Sequence, residues 1–334
     1  MRINIVNGIF LLALLFILAC NSNQTGDGQF PPLTGEYLGQ PLPGSTPELF
    51  APGIISTREA ERDACFSPDG NEFYYSMIGL THFVILESKL VDGHWTRPEV
   101  APFSGYYSDI EPFYSPDGNR IYFASNRPPG EMGEPKPDFD IWYVEKTGDG
   151  WSEAVNIGAP VNTARNEFYP SVSSDGTLYL TASYDGSFGF EDIYKSELID
   201  GRYTDPENLG KAINSKLYEY NAFIAPDESY IIYSSHGRQN SYGSGDLYIS
   251  FRHEGDSWSD AKNMGEKINS ITLDFCPYVS SDGKYLFYSS TRKAGMPYSE
   301  TGVTYDQMLK ILALPENGLG DIYWVSTNVI DELK

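Results

Sequence analysis

One six-residue phrase occurs five times along this chain, and it limits the fold more than any other feature. The copies are Cys65-Phe-Ser-Pro-Asp-Gly70, Phe113-Tyr-Ser-Pro-Asp-Gly118, Ser171-Val-Ser-Ser-Asp-Gly176, Phe223-Ile-Ala-Pro-Asp-Glu228 and Tyr278-Val-Ser-Ser-Asp-Gly283. Pro presets φ at the first central position of a tight turn, Asp accepts backbone N–H groups, and Gly takes the left-handed position. Each copy leads into an aromatic, β-branched run: Phe73–Ser76, Ile121–Ser125, Leu178–Thr181, Ile231–Ser234 and Leu286–Ser289. The phrase therefore predicts a β-hairpin, with the fourth copy strained where Glu228 replaces Gly.

Four copies continue into a third strand opened by an acid: Asp140-Ile-Trp-Tyr143, Asp192-Ile-Tyr194, Asp246-Leu-Tyr-Ile249 and Asp321-Ile-Tyr-Trp324; the first has His82-Phe-Val-Ile85. A fourth strand follows, as in Trp151-Ser-Glu-Ala-Val-Asn-Ile-Gly158 and Trp258-Ser-Asp-Ala-Lys-Asn-Met-Gly265. Four antiparallel strands per unit, with turn aspartates 48 to 58 residues apart, make the blade of an all-β propeller. The last copy has no fourth strand of its own. Pro47-Glu-Leu-Phe-Ala-Pro52 resembles Pro98-Glu-Val-Ala-Pro102, the fourth strand of the first copy, so the N-terminal segment is expected to complete the last blade and remove its exposed edge.

The Ser-Pro-Asp-Gly turn, the aromatic strand after it and the Asp-Ile-Tyr resemble the WD40-like repeat of TolB-type propellers, over nearly all of residues 47–327. That resemblance implies the fold and says little about activity. TolB-type propellers usually have six blades; the five copies make five the expectation here and six the alternative.

The chain carries 46 acidic and 23 basic residues in 334, a formal charge of −23. The phosphate backbone would repel it, which argues against nucleic acid as a partner. Its N-terminus reads as a targeting segment: Arg2, an apolar run from Ile9 to Leu18, then Ile17-Leu-Ala-Cys20. The last four resemble the lipobox of bacterial lipoproteins, which implies lipidation of Cys20 and removal of residues 1–19. Asn21 implies outer-membrane sorting in a two-membrane cell. Residues 20–46 are polar and rich in Gly and Pro, expected as a flexible tether, with the propeller at 47–334.

Three residue classes converge on one expected face, that of the interblade and strand 2–3 loops. Eight residues before each turn Asp stands an acid: Glu61, Asp109, Glu167, Glu219 and Asp274; Asp63 and Glu111 follow two positions later, and Arg127, Arg238 and Arg292 follow second strands. One reading is an acidic ring that binds a basic partner segment or a calcium-like cation, although no cofactor is required by any motif. The other is that each acid caps its own loop or pairs with a nearby Arg. Two insertions, Arg127–Asp138 and Arg292–Gly320, are not needed by a propeller and are candidates for binding. Within the second, Met308, Ile311, Leu312 and Leu314 predict a short amphipathic helix packed on the rim. The four histidines show no metal-ligating spacing, and there is no Gly-x-Ser-x-Gly elbow or phosphate loop. Cys65 and Cys276 lie in the first and last blades, as a seam disulfide or as two buried thiols.

Together these features lead to an envelope-anchored propeller that binds a protein or polymer. The alternative is a glycosidase-like enzyme using carboxylates such as Asp109, Glu167 and Glu219 across the pocket.

Overall fold

Each Ser-Pro-Asp-Gly phrase closes a β-hairpin whose turn the side chains knit together. In a computed structural model, which describes residues 30–79, 81–130, 132–148, 150–255, 257–294 and 302–334, the Asp69 carboxylate accepts the Ser67 hydroxyl at 2.6 Å and the Asn71 N–H at 3.1 Å. The same bonds recur around Asp117, Asp175 and Asp282. Gly70, Gly118, Gly176 and Gly283 take positive φ, and Glu228 is held there too, at +57°. Its carboxylate offsets the strain by accepting the Tyr179 hydroxyl of the preceding blade at 2.8 Å and pairing with Arg252.

The hairpins grow into five antiparallel blades whose inner strands are Ala60–Phe66, Asp109–Tyr114, Glu167–Val172, Tyr218–Ile224 and Asp274–Val279. In blade 4, for example, Tyr218–Ile224, Tyr230–His236, Asp246–Phe251 and Lys262–Asn263 pair in that order. Blade 5 runs Asp274–Val279, Tyr285–Ser290, Asp321–Ser326, then Glu48–Leu49 from the other end of the chain, with Glu48 opposite Trp324. The expected five-bladed propeller and its N-terminal closing strand are both present.

The seam is packed by aromatic rings. Phe50, fully buried, lies 5.3 Å from the ring of Phe73 in blade 1 and 5.1 and 5.2 Å from those of Phe287 and Trp324 in blade 5.

The compact unit begins at Leu33, so much of the expected tether belongs to the fold. Trp95 donates its backbone N–H to Leu33 and its indole N–H to Gly35, at 2.9 and 2.8 Å. Tyr37 and Leu38 are buried, Tyr37 with its ring 5.3 Å from Phe66 and 5.0 Å from Tyr285. Ser326 donates to the Gly44 carbonyl at 2.9 Å. Composition misled here because two buried side chains among Gly and Pro leave no hydrophobic period. Residues 1–29, with Cys20, lie outside the described residues.

Cys65 and Cys276 are free, buried thiols. The predicted helix forms at Tyr305–Leu312, with Thr304 in a capping box with Gln307. It is not packed on the rim: none of its residues is buried, and Tyr305, Met308, Leu309 and Leu312 are exposed.

Candidate functional site

All five interblade acids are buried. Glu219 accepts the Ser215 N–H at 2.8 Å and hydroxyl at 2.7 Å, the Ser235 hydroxyl at 3.0 Å and Arg238 at 2.9 Å. Asp274 repeats this with Ser270, Ser290 and Arg292; Asp109 accepts the hydroxyls of Ser104 and Ser125 and pairs with Arg127, while the Ser104 N–H goes to Ala101. Glu61 and Glu167 each accept the N–H and hydroxyl of a Thr four residues earlier, Thr57 and Thr163. Each Arg also donates to a carbonyl of the incoming loop: Phe103, Ile213 or Ile268. In blade 3 the Tyr184 hydroxyl takes the place of Arg, donating to Val161 at 2.6 Å. The structure thus sets these acids and arginines beneath the loops, capping the backbone there, instead of around an open mouth.

The third-strand aspartates behave alike. Asp192 accepts the N–H groups of Phe188 and Gly189 and the Asn208 amide, and Asp246 those of Tyr242 and Gly243 and the Asn263 amide. Sequence reasoning missed the partner set. Asn162, Asn214 and Asn269 each bridge the N–H and C=O of one third-strand residue, Ile141, Ile193 and Leu247, at 2.8–3.0 Å. Ser56 does this in blade 5 for Ile322. The signal was there: an Asn six residues after Asn156, Asn208 and Asn263, past an Asn-x-Gly turn.

Two residues beyond each acid, the inner strand bulges, and Asp63, Glu111, Tyr169, Asn221 and Cys276 all take positive φ. All five are buried. Arg62 joins two of them, at 2.8 Å from Asp63 and 2.7 Å from Glu111. Glu111 also accepts the Tyr169 N–H at 2.7 Å and the Asn221 amide at 3.2 Å. In blades 1, 2 and 4 the equivalent N–H goes to a second-strand hydroxyl of the preceding blade: Ser289 for Asp63, Ser76 for Glu111, Thr181 for Asn221. Ala124 has no hydroxyl to offer Tyr169, and the Glu111 carboxylate replaces it.

Burial, with Asp63 adding to it, pushes the Glu111 carboxyl up to about 7 against the pull of Arg62. Burial does the same to Glu61 and Glu167, each to about 7, against the hydrogen bonds from Thr57 and Thr163. The turn aspartates go the other way: burial opposes their charge, but bonds such as those from Ser67 and Asn71 to Asp69 outweigh it and lower the pKa. Raised carboxyls bind protons in the folded chain that the unfolded chain has released. Their stabilisation is full below about 4.5, the unfolded value, and is lost as pH rises through about 7. The turn aspartates stabilise above about 3.8 and fail below it. The thermal midpoint is therefore expected to peak near pH 5 and to fall by about 5–10 °C towards pH 8. Glu111→Gln should flatten that slope, and 0.5 M salt should leave most of it, since buried groups are screened little. A midpoint that climbs from pH 5 to 8 would contradict this assignment.

Among the described residues no three His, Cys, Asp or Glu side chains form a metal-ligating group. Among the described residues, two of the open clefts bear on the candidate site. One of about 370 Å³ is lined by residues including Asp138, Arg165, Phe168, Phe190 and Glu191. The other, of about 400 Å³, lies between blade 2 and the linker that enters it from blade 1, and is bounded in part by the Arg127–Asp138 insertion.

No family model matches the chain. Over 145 residues it is 30% identical to the uncharacterized protein Atu1656 of Agrobacterium fabrum, covering 43% of this chain and 42% of that one. The chain thus matches less than half the length of this curated relative. TolB from Acinetobacter baumannii is similar in structure over 72% of this chain and 51% of its own, with 16% identity and a TM-score of 0.47. BT0996, in its RGII complex, covers 85% of this chain and 92% of its own at 10% identity and a TM-score of 0.52. A glycoside hydrolase covers 78% and 95% at 10% identity and a TM-score of 0.50. What the last two share with this chain is the fold.

Proposed function

We propose that this TolB-like propeller is a binding or scaffolding module of the bacterial envelope. Lipidated Cys20 holds it to the outer membrane, and it takes a protein or polymer ligand on the face that carries the interblade loops and the two insertions. One observation supports the reading: the repeated acids and arginines are consumed in capping the loops, while the two insertions hold large apolar side chains out to solvent, among them Met132, Tyr305 and Met308. The blade 2 insertion borders an open cleft, and the blade 5 insertion holds out an uncovered helix. The glycosidase reading loses its stated carboxylates, since Asp109, Glu167 and Glu219 are each buried among their own loop donors.

Crosslinking in intact cells, followed by capture of the propeller, is expected to recover one dominant envelope partner or polymer, and Cys20→Ser to release the chain from the membrane fraction. Recovery of nothing above background from wild-type cells would defeat the binding reading. Membrane retention of the Cys20→Ser chain would defeat the anchor.

A further inference from the structure

The cleft between blade 2 and the linker that enters it is built from aromatic side chains packed against one another. Phe103 stacks on Phe123 with centroids 5.3 Å apart and meets Trp151 at 6.2 Å. Tyr107 packs against Tyr106 at 4.8 Å, and its hydroxyl clamps the insertion by bonding both the N–H and the C=O of Gly133 at 3.1 Å. Arg127 lies over the rings of Tyr107, Phe123 and Trp142, its charge already matched by Asp109. On this frame two large side chains face water: Tyr106 is 68% and Met132 77% exposed. A monomer has no folding reason to keep such surface together beside a cavity.

Trp142 supplies the second, independent observation. It lines the cleft and is only 4% exposed, yet its indole N–H has no acceptor among the described residues. The neighbouring Trp151 indole, by contrast, donates to the Tyr74 hydroxyl at 3.2 Å. A buried donor left unmet is unfavourable; the N–H is covered, and a small shift of the ring edge toward the cavity would let a ligand acceptor satisfy it.

Resting on the binding reading above, we infer that this cleft is a subsite for a neutral saccharide chain. A sugar ring offers a C–H face, slightly positive at its hydrogens, to the negative faces of aromatic rings. Its hydroxyls both donate and accept. One accepts from Trp142, and another donates to the exposed Glu153 carboxylate on the cleft wall. Glu153 and the chain's −23 charge disfavour an anionic glycan. A proline-rich peptide would suit the aromatic walls, but its imide nitrogens have no N–H for Glu153.

The test uses the full chain in detergent, titrated with cellohexaose, maltohexaose, mannohexaose, xylohexaose and decaproline while tryptophan fluorescence and heat are followed. At least one hexaose is expected to bind saturably. Trp142→Phe, which keeps a ring and removes the N–H, should weaken it about tenfold, equivalent to about 1.4 kcal/mol. Tyr106→Ala, at an exposed position, should weaken it too, and carries the test should Trp142→Phe not fold. Binding of decaproline alone, binding of none of the four hexaoses, or equal binding by wild type and both variants overturns the inference. If crosslinking still recovers a partner after such a result, the propeller's binding role stands and only the ligand class falls.

Discussion

Phe50→Ala is expected to destabilise the protein by about 3–5 kcal/mol, the range for a large aromatic deleted from a packed core. Phe50 sits just beyond the two-residue strand that completes blade 5, and its N–H is bonded to the Ile322 carbonyl at 2.8 Å. Its ring is the wedge between the first and last blades, touching Phe66 and Phe73 on one side and Phe287 and Trp324 on the other. A propeller closed by a strand this short has few ladder hydrogen bonds at its seam, so side-chain packing must supply most of the closure. Removing residues 33–52 would go further. It would expose Asp321–Ser326 as an unpaired edge and strip Tyr37 and Leu38 from the seam, with aggregation the expected outcome. Urea titration of Phe50→Ala beside Leu42→Ala, an exposed control expected to stay within about 0.5 kcal/mol, decides it. Equal midpoints for the two would mean the ring is held shut by something else.

That closure was legible because the closing segment copies another fourth strand, and a repeat shows its own missing part. The hairpins were legible for the same reason, down to Glu228, whose left-handed backbone follows from its standing where four other copies have Gly. Residues 33–46 were not. Tyr37 and Leu38 fill an irregular gap from a single helical turn, Tyr37–Gly39, and irregular packing leaves no period in a sequence. The helix at Tyr305–Leu312 was found by its period, but period does not say what covers an apolar face, and here the fold leaves it bare.

The site was legible in a different sense. An acid found in every copy could serve every blade or line a shared mouth, and spacing alone treats these alike. Hydrogen bonds separate them: Glu61 and Glu167 are spent on Thr57 and Thr163 before any ligand arrives. Asn162, Asn214 and Asn269 passed unnoticed because Asn near Gly reads as a turn residue. The aromatic cleft was legible only through the Arg127–Asp138 insertion that borders it; its aromatic lining was not. Tyr106, Met132, Trp142 and Trp151 come from four separate stretches, and only the folding of blade 2 against the linker that enters it brings them to one cavity.

Glu219→Ala tests the structural role of the acids most severely and is expected to destabilise by about 3–5 kcal/mol. The Glu219 side chain is wholly buried, and Arg238 beside it is only 18% exposed, its guanidinium over the Tyr248 ring. Without the carboxylate, a desolvated cation would be left with the Ile213 carbonyl and the Ser235 hydroxyl as its partners, and the Ser215 N–H and hydroxyl would lose their acceptor. Breaking one half of a buried pair is what makes the loss large; replacing both halves with apolar groups is often close to neutral. Arg238→Met placed on top of Glu219→Ala should therefore recover part of the loss, giving a coupling energy above about 1 kcal/mol in a double-mutant cycle. Blade 3 provides the internal control. Glu167 has Tyr184 where other blades have Arg, so Glu167→Gln strands no cation and should lose less. If Glu219→Ala melts with the wild type, the acid is not holding its loop, and a ring of carboxylates kept for a ligand becomes the better account of its place in every blade.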